Sequence, residues 1–554
     1  MTKRRRRRPV STDASPPTPS PTPRKQRSFG EPELLAIFAA AICLIITWFF
    51  RALLNPDGVS YLDLARLVRI GDWDGYVQGY WSPLYPAIIA ALSLLTTGSP
   101  LALVILAHVV NGMAAIAGIA LLWWWGRQTR HPFVTRTLLA TFLLASTGLP
   151  RIEAVTPDVL LQGLMVWIGY ELVCHRDRRP VASGVALGLA FLGKTSVWPW
   201  LLLSLPFRLW GAGDRDGRRR VFVSSGVALL VAAVWIVPLS VKAGHLNAGT
   251  AGRLNYGWYI EGSNARTPDT DTGRHRAYQE VVVDPTHRLD LVDFVSADRW
   301  TYAPWSDPTA WDAGIETSNA KAPEIGELLA YWGRQARRTF GFWMLPVLLG
   351  VLLPCAVAFW RPGLASSLTR TERPTLVAFL LGLAGIVQFV LIHSEPRLIA
   401  PFVLLLGLAA LQLFFAAPLP NGPSPAIGRN IATAIGLLGV VWMAGSRINI
   451  GIISNAQVQT ALASILHDSA VAPPTRGPWG RVAVAGPALP VAPAAFMAGA
   501  HIVAQLPPRS LTVAQSLPPD RQRALLLELF AGKADVAWVS NRDGGVKRVP
   551  IPPR

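Results

Sequence analysis

The side chains with chemical potential stand at the ends of hydrophobic runs. Asn55-Pro56-Asp57-Gly58-Val59-Ser60-Tyr61-Leu62 follows the first run and sets a carboxylate where hydrocarbon meets water. A carboxylate there is costly unless something uses or neutralises it, which makes Asp57 the first candidate for chemistry. Asp72 and Asp74 lie a little further on, and later runs are bounded by Arg151, Glu153 and Asp158, by Lys194, and by His393, Glu395 and Arg397. Together they offer a base and several cations for an anionic group, the combination a transfer site requires.

For these residues to act together, the elements that carry them must end on one side of a membrane. The chain has 554 residues, 51% of them hydrophobic and 15% charged, with a mean hydropathy of +0.34. A soluble protein of this size would not be so apolar. Runs such as 34–50, 101–125 and 221–241 approach the roughly 20 residues that cross hydrocarbon. The expected class is an all-α polytopic membrane protein. The net charge of +19 sits largely in the N-terminal tail and in short loops, where membrane topology explains it better than nucleic acid does. Cys43, Cys174 and Cys355 each lie in or at the end of an apolar run, so they read as small apolar residues and not as a disulfide frame or zinc site.

Residues 1–30 carry Lys3, Arg4 to Arg8 and a Pro/Ser/Thr stretch, a composition that stays disordered and holds the N-terminus in the cytoplasm. The span at 34–54 is expected to be an uncleaved anchor. Residues 83–95 are short and open on prolines, which predicts a helix lying at the outer interface. If they crossed, Arg127, Arg130 and His131 would face outward, against the charge bias. Further spans are expected at 101–125, 133–149, 159–174, 181–193, 197–209, 221–241, 340–360, 375–392, 398–415 and 431–445. That makes about eleven spans, with nearly every inner loop basic. The transmembrane domain covers 31–446, with external loops at about 55–100 and 242–338. Residues 447–554 form a small extracytoplasmic α/β domain in which 482–485, 494–499 and 534–539 alternate as strand, helix and strand.

Motif order adds a resemblance. Asp57 with Ser60-Tyr61-Leu62, then Gly71-Asp72-Trp73, then Tyr80-Trp81-Ser82-Pro83-Leu84-Tyr85-Pro86 resembles the first external loop of GT-C glycosyltransferases. The group in question spans protein O-mannosyltransferases, lipid A aminoarabinose transferases and their bacterial relatives. Thr156-Pro157-Asp158 is similar to that group's second acidic loop, and Gly188-Leu189-Ala190-Phe191-Leu192-Gly193-Lys194 to its Gly-Leu-x-x-Leu-x-Lys segment. His393-x-Glu395-x-Arg397-Leu398-x-x-Pro401 resembles its late His-x-x-x-Arg-Tyr-x-x-Pro segment. The resemblance covers roughly residues 30–415. One departure is that Gly58 follows Asp57 where the group often has Asp-Glu.

The resemblance implies a sugar donor on polyprenyl phosphate, a lipid, glycan or protein acceptor, and transfer at the outer face of the cytoplasmic membrane. Asp57 would take the acceptor proton, an effect of about 10²–10⁴-fold. Lys194 and Arg397 would hold the donor phosphate, and one direct displacement would invert the anomeric centre. Asp158 either serves acceptor or cation, or caps its helix. Glu153, His393 and Glu395 are supporting residues, the last two orienting Arg397. No cofactor is required by this scheme, a divalent cation could assist, and His393 with Glu395 is too sparse to make a metal site. Asp72-Trp73-Asp74 and Asp269-Thr270-Asp271 match a metal-binding Asp-x-Asp but follow no nucleotide-binding strand, so both read as loop residues. Tyr256, Trp258, Tyr259, Trp300, Tyr302, Trp305 and Trp311 could stack on a sugar, but anchoring at the headgroups is the expected use. The rival classes are a transporter or lipid flippase, with ionisable residues near mid-membrane, and a non-catalytic envelope scaffold.

Overall fold

The computed structural model describes residues 31–129, 152–174, 178–261, 267–269, 277–294, 298–312, 323–339, 373–416, 480–540 and 546–551. Helices dominate. In chain order the longer ones are α1 (Glu31–Phe49), α2 (Pro56–Ile70), α3 (Leu84–Ser93), α4 (Pro100–Thr129), α5 (Asp158–Val173), α6 (Pro180–Gly193), α7 (Trp198–Ala212) and α8 (Arg215–Ala243). They continue with α9 (Ala251–Tyr259), α10 (Ile325–Arg337), α11 (Arg373–Ile392), α12 (Pro396–Ala416), α13 (Pro508–Gln515) and α14 (Pro519–Phe530).

Among the described residues, three helices are long and apolar enough to cross a membrane: Pro100–Arg127, Arg215–Ala243 and Arg373–Ile392. In α8 only 28% of the most apolar window is buried, and Leu229, Leu230, Val234, Val237 and Val241 point outward. Such a face is stable against hydrocarbon, not against water. The chain is a membrane protein. Shorter apolar helices stand at several other expected spans; α6, with 14 residues, is about 21 Å long. The expected spans at 133–149, 340–360 and 431–445 lie outside the described residues, so eleven spans cannot be counted from them. The expected interfacial segment is the 10-residue α3.

Close helix approach sets the geometry of the bundle. Gly184 and Gly188 sit one turn apart on α6; a β-carbon at Gly184 would lie 2.4 Å from the Ser224 carbonyl oxygen, and one at Gly188 2.5 Å from Val231 Cβ. This small-x-x-x-small face lets α6 lie close along α8. Elsewhere α11 packs on α12, α4 on both α1 and α5, and α12 on α5.

A mixed sheet caps one end of this assembly. Its strands are β1 (Tyr278–Asp284), β2 (His287–Asp293), β3 (Gly480–Ala485), β4 (Ala500–Leu506), β5 (Val536–Ser540) and β6 (Val546–Pro550), in the order β1-β2-β4-β3-β5-β6. β3 runs parallel to β4 and β5, with a helical turn over Ala492–Met497 in the first crossover and α13 and α14 in the second. The strand–helix–strand alternation expected for the C-terminal residues is present. The sheet is not confined to them, however. β2 pairs with β4 through Val292 and Gln505, so a hairpin from the 242–338 loop completes it. The burial of β4 on every residue explains the recruitment: a strand buried along its whole length is stable only when its edge is paired as well as its faces covered.

The sheet layer is fastened to α2. Asp63, fully buried, accepts hydrogen bonds from Thr301 N (2.9 Å), Thr301 Oγ1 (2.8 Å) and Ser306 Oγ (2.9 Å). Ile502 N donates to Thr301 O at 2.8 Å, carrying the connection into β4.

Candidate active site

Asp57 owes its place to the start of α2. Pro56 occupies the first helical position, where a missing N–H costs nothing, and Asp57 follows in the first turn, where the helix dipole favours a negative charge. The helix stops at Gly71, whose φ of 77° is left-handed. Asn55 Oδ1 accepts from Val155 N at 2.9 Å and Asn111 Nδ2 donates to Ala154 O at 2.7 Å. The first bond pins the turn before α5 against the turn before α2, and the second pins it against α4. Gly58 packs at the same contact, where a β-carbon would lie 2.7 Å from Val155 Cβ. A second carboxylate beside Asp57 has no room, which accounts for the departure from Asp-Glu.

Asp158 opens α5 and is fully buried. It accepts from Thr156 Oγ1 at 2.9 Å and forms an ion pair with Lys194. Lys194 reaches it because α6 breaks there: its backbone is extended (φ −153°, ψ 100°), and Thr195 N donates to Ser82 Oγ at 2.8 Å. Arg397, in the first turn of α12, donates Nε to Glu395 Oε2 at 2.8 Å and Nη1 to Asp57. His393 Nε2 lies 3.1 Å from Glu395 Oε1, and the Tyr259 ring stacks on His393 with centroids 3.6 Å apart and 5° between planes. Burial alone would raise the Glu395 carboxyl. The hydrogen bond from His393 and the charge of Arg397 outweigh it and hold Glu395 well below the usual carboxylate range.

A cavity of about 620 Å³ opens between these groups, lined by Asp57, Asp158, Lys194, His393, Glu395 and Arg397. The ends of α6 and α11 therefore meet the starts of α2, α5 and α12 around one space. Tyr259 and Trp305 also line it, as does Leu489 from the sheet layer. Trp258, Trp300, Tyr302 and Trp311 are core residues instead, while Tyr256 is partly exposed.

Glu153 stands in the same turn as Asp158 but does not line the cavity. Arg151 and Asp271 lie outside the described residues. Asp72 and Asp74 form a surface cluster with Arg299 at 3.0 and 2.8 Å, and Asp74 also meets Lys242 at 3.2 Å. Asp269 accepts from Ala488 N (2.9 Å) and Leu489 N (3.0 Å), bracing the end of β3. Asp72, Asp74 and Asp269 thus have structural partners. Arg338, which lines the cavity, was missed by the sequence reading, although it precedes an apolar run as the other site residues adjoin theirs. Among the described residues no group of three or more His, Cys, Asp and Glu is placed to hold a metal. Glu395 is already engaged by Arg397, so His393 and Glu395 do not fit a divalent cation.

No known family profile matches the sequence, and no curated protein matches it. Solved structures do. The crystal structure of ArnT from Cupriavidus metallidurans bound to undecaprenyl phosphate aligns with a TM-score of 0.52 at 14% identity, covering 91% of this chain and 92% of that one. The apo form of the same ArnT aligns at 0.51, with the same identity and coverage. The fold is GT-C. At this identity the likeness concerns the path of the chain. The structural likeness extends beyond the stretch carrying the motifs, since coverage of 91% takes in residues outside 30–415.

Proposed function

We propose that the chain is a membrane glycosyltransferase that moves a sugar from a polyprenyl-phosphate donor to an acceptor hydroxyl at the outer face of the cytoplasmic membrane, inverting the anomeric centre. The observation that carries this reading is the meeting of Asp57 and Arg397 across 340 positions of sequence, in a cavity that also holds the Lys194–Asp158 pair. The undecaprenyl phosphate bound by ArnT, which shares the fold, supports the donor class. The basic loops at the opposite helix ends support the outer face.

The arrangement suits displacement of a phosphate. A donor phosphate approaching Arg397 competes with Asp57 for the guanidinium, so its arrival frees the carboxylate to act. The acceptor oxygen then attacks the anomeric carbon while its proton passes to Asp57. The carbon–oxygen bond to phosphate breaks, its electron pair stays on the phosphate oxygen, and Arg397 and Lys194 stabilise the developing charge. Glu395 and His393 keep Arg397 aimed, and Asp158 does the same for Lys194. A transporter's ionisable groups belong near mid-membrane and not at helix ends.

Assaying the purified full chain with radiolabelled polyprenyl-phosphate sugars and a panel of lipid, glycan and protein acceptors tests this. Asp57→Asn should lower turnover by about 10²–10⁴-fold while insertion is retained. Equal turnover would remove Asp57 from the chemistry, and no transfer by the wild type with any donor would sink the assignment.

A further inference from the structure

The far end of the bundle holds a second cavity, of about 250 Å³, where α5 and α7 end and α8 and α11 begin. It is lined by Arg178, Arg208, Arg220 and Arg373, with Asp214 as the one carboxylate among the described lining residues. Asp214 is already committed: it is the N-cap of α8 and accepts from Gly217 N at 2.6 Å. Arg208 is only 2% exposed, held by Ser224 Oγ and by Ser183 Oγ at 3.4 Å. Arg220 keeps its Nε buried with no hydrogen-bond partner. Among the described residues, no carboxylate lies within ion-pair distance of Arg178, Arg220 or Arg373.

A basic inner loop obeying topology alone would leave its arginines in water. Here Arg220 has a donor turned away from solvent, which costs free energy until an acceptor answers it. Planar guanidinium forks match phosphate oxygens in particular. The volume falls below that of drug-sized pockets, so it suits a phosphate with a small substituent and not a nucleotide. The cavity also sits at the ends of two helices long enough to cross a membrane, the depth at which lipid headgroups lie. The geometry points to a phosphate-binding site at this end, filled by the headgroup of an anionic phospholipid or by a soluble phosphate. Binding there would tie α7, α8 and α11 together at the end away from the candidate active site.

The test uses the purified full chain in a neutral detergent, titrated with short-chain phosphatidylglycerol, short-chain phosphatidylcholine or inorganic phosphate, with the thermal midpoint and bound ligand measured. Saturable binding that raises the midpoint is expected for phosphatidylglycerol or phosphate and not for phosphatidylcholine. A response to phosphatidylglycerol alone assigns the site to lipid, and one to phosphate alone assigns it to a soluble anion. Affinity should fall about fivefold for each arginine removed in R220Q/R373Q. The single variant R178Q changes an exposed side chain and spares the fold. The inference is overturned if the wild type binds neither anion saturably, or if binding is undiminished in both variants. Binding lost instead in R397Q would place it in the other cavity and overturn the inference equally.

Discussion

Arg397 is the residue on which the candidate site turns, because one guanidinium serves two carboxylates. Its Nη1 holds Asp57 and its Nε holds Glu395, while His393 and the stacked Tyr259 fix Glu395 from behind. The consequence for pH follows from Glu395. Its carboxyl is depressed in the folded chain, so its contribution to stability is fully present above the ordinary carboxylate pKa and lost as pH falls through the depressed value. The thermal midpoint should hold steady from neutral pH to about 5 and fall below about 4. Glu395→Gln should cost about 1–3 kcal/mol at neutral pH and make the acid limb shallower. A limb as steep as the wild type's would mean that other carboxylates set it.

At the scale of elements, Lys194 depends on a contact made well before it in the same helix. The Gly184–Gly188 face brings α6 against α8, and Lys194 is delivered where α6 ends. A leucine at Gly184 has nowhere to go, since the Ser224 carbonyl and Val227 Cβ would lie 2.4 and 2.6 Å from the first added carbon. Gly184→Leu should destabilise the bundle by about 1–3 kcal/mol and lower transfer by displacing Lys194 from Asp158. Thermal unfolding and turnover read these separately, and wild-type values in both would deny that this face positions the site. The local code marks the ends of α2. Asn-Pro-Asp before an apolar–polar periodicity and Gly71 after it are start and stop signals, and both are observed.

For the whole molecule, the sheet decides how the site is closed. β2 from the loop between α8 and α10 pairs with β4 from the C-terminal residues, and Leu489, between β3 and β4, reaches the cavity wall. Truncating the chain before Gly480 would strip β2 of its neighbour. The expected result is cleavage by added protease within 278–293 and a fall in transfer of about 100-fold. Full activity in the truncated chain would show that the sheet layer has no part in the site.

Membrane class, the order of the polar helix ends and the candidacy of Asp57, Asp158, Lys194, His393, Glu395 and Arg397, which line one cavity, were legible from residues alone. The reason is that charge beside hydrocarbon is costly wherever the chain folds, so composition and position mark it without knowledge of partners. Pairing was not legible. Whether Arg397 would face Asp57, why position 58 admits no carboxylate, that Glu153 stays off the cavity, and that a loop hairpin would complete the C-terminal sheet all depend on contacts between distant segments. Local propensity carries no record of such contacts, because the packing of one helix or strand against another is what creates them.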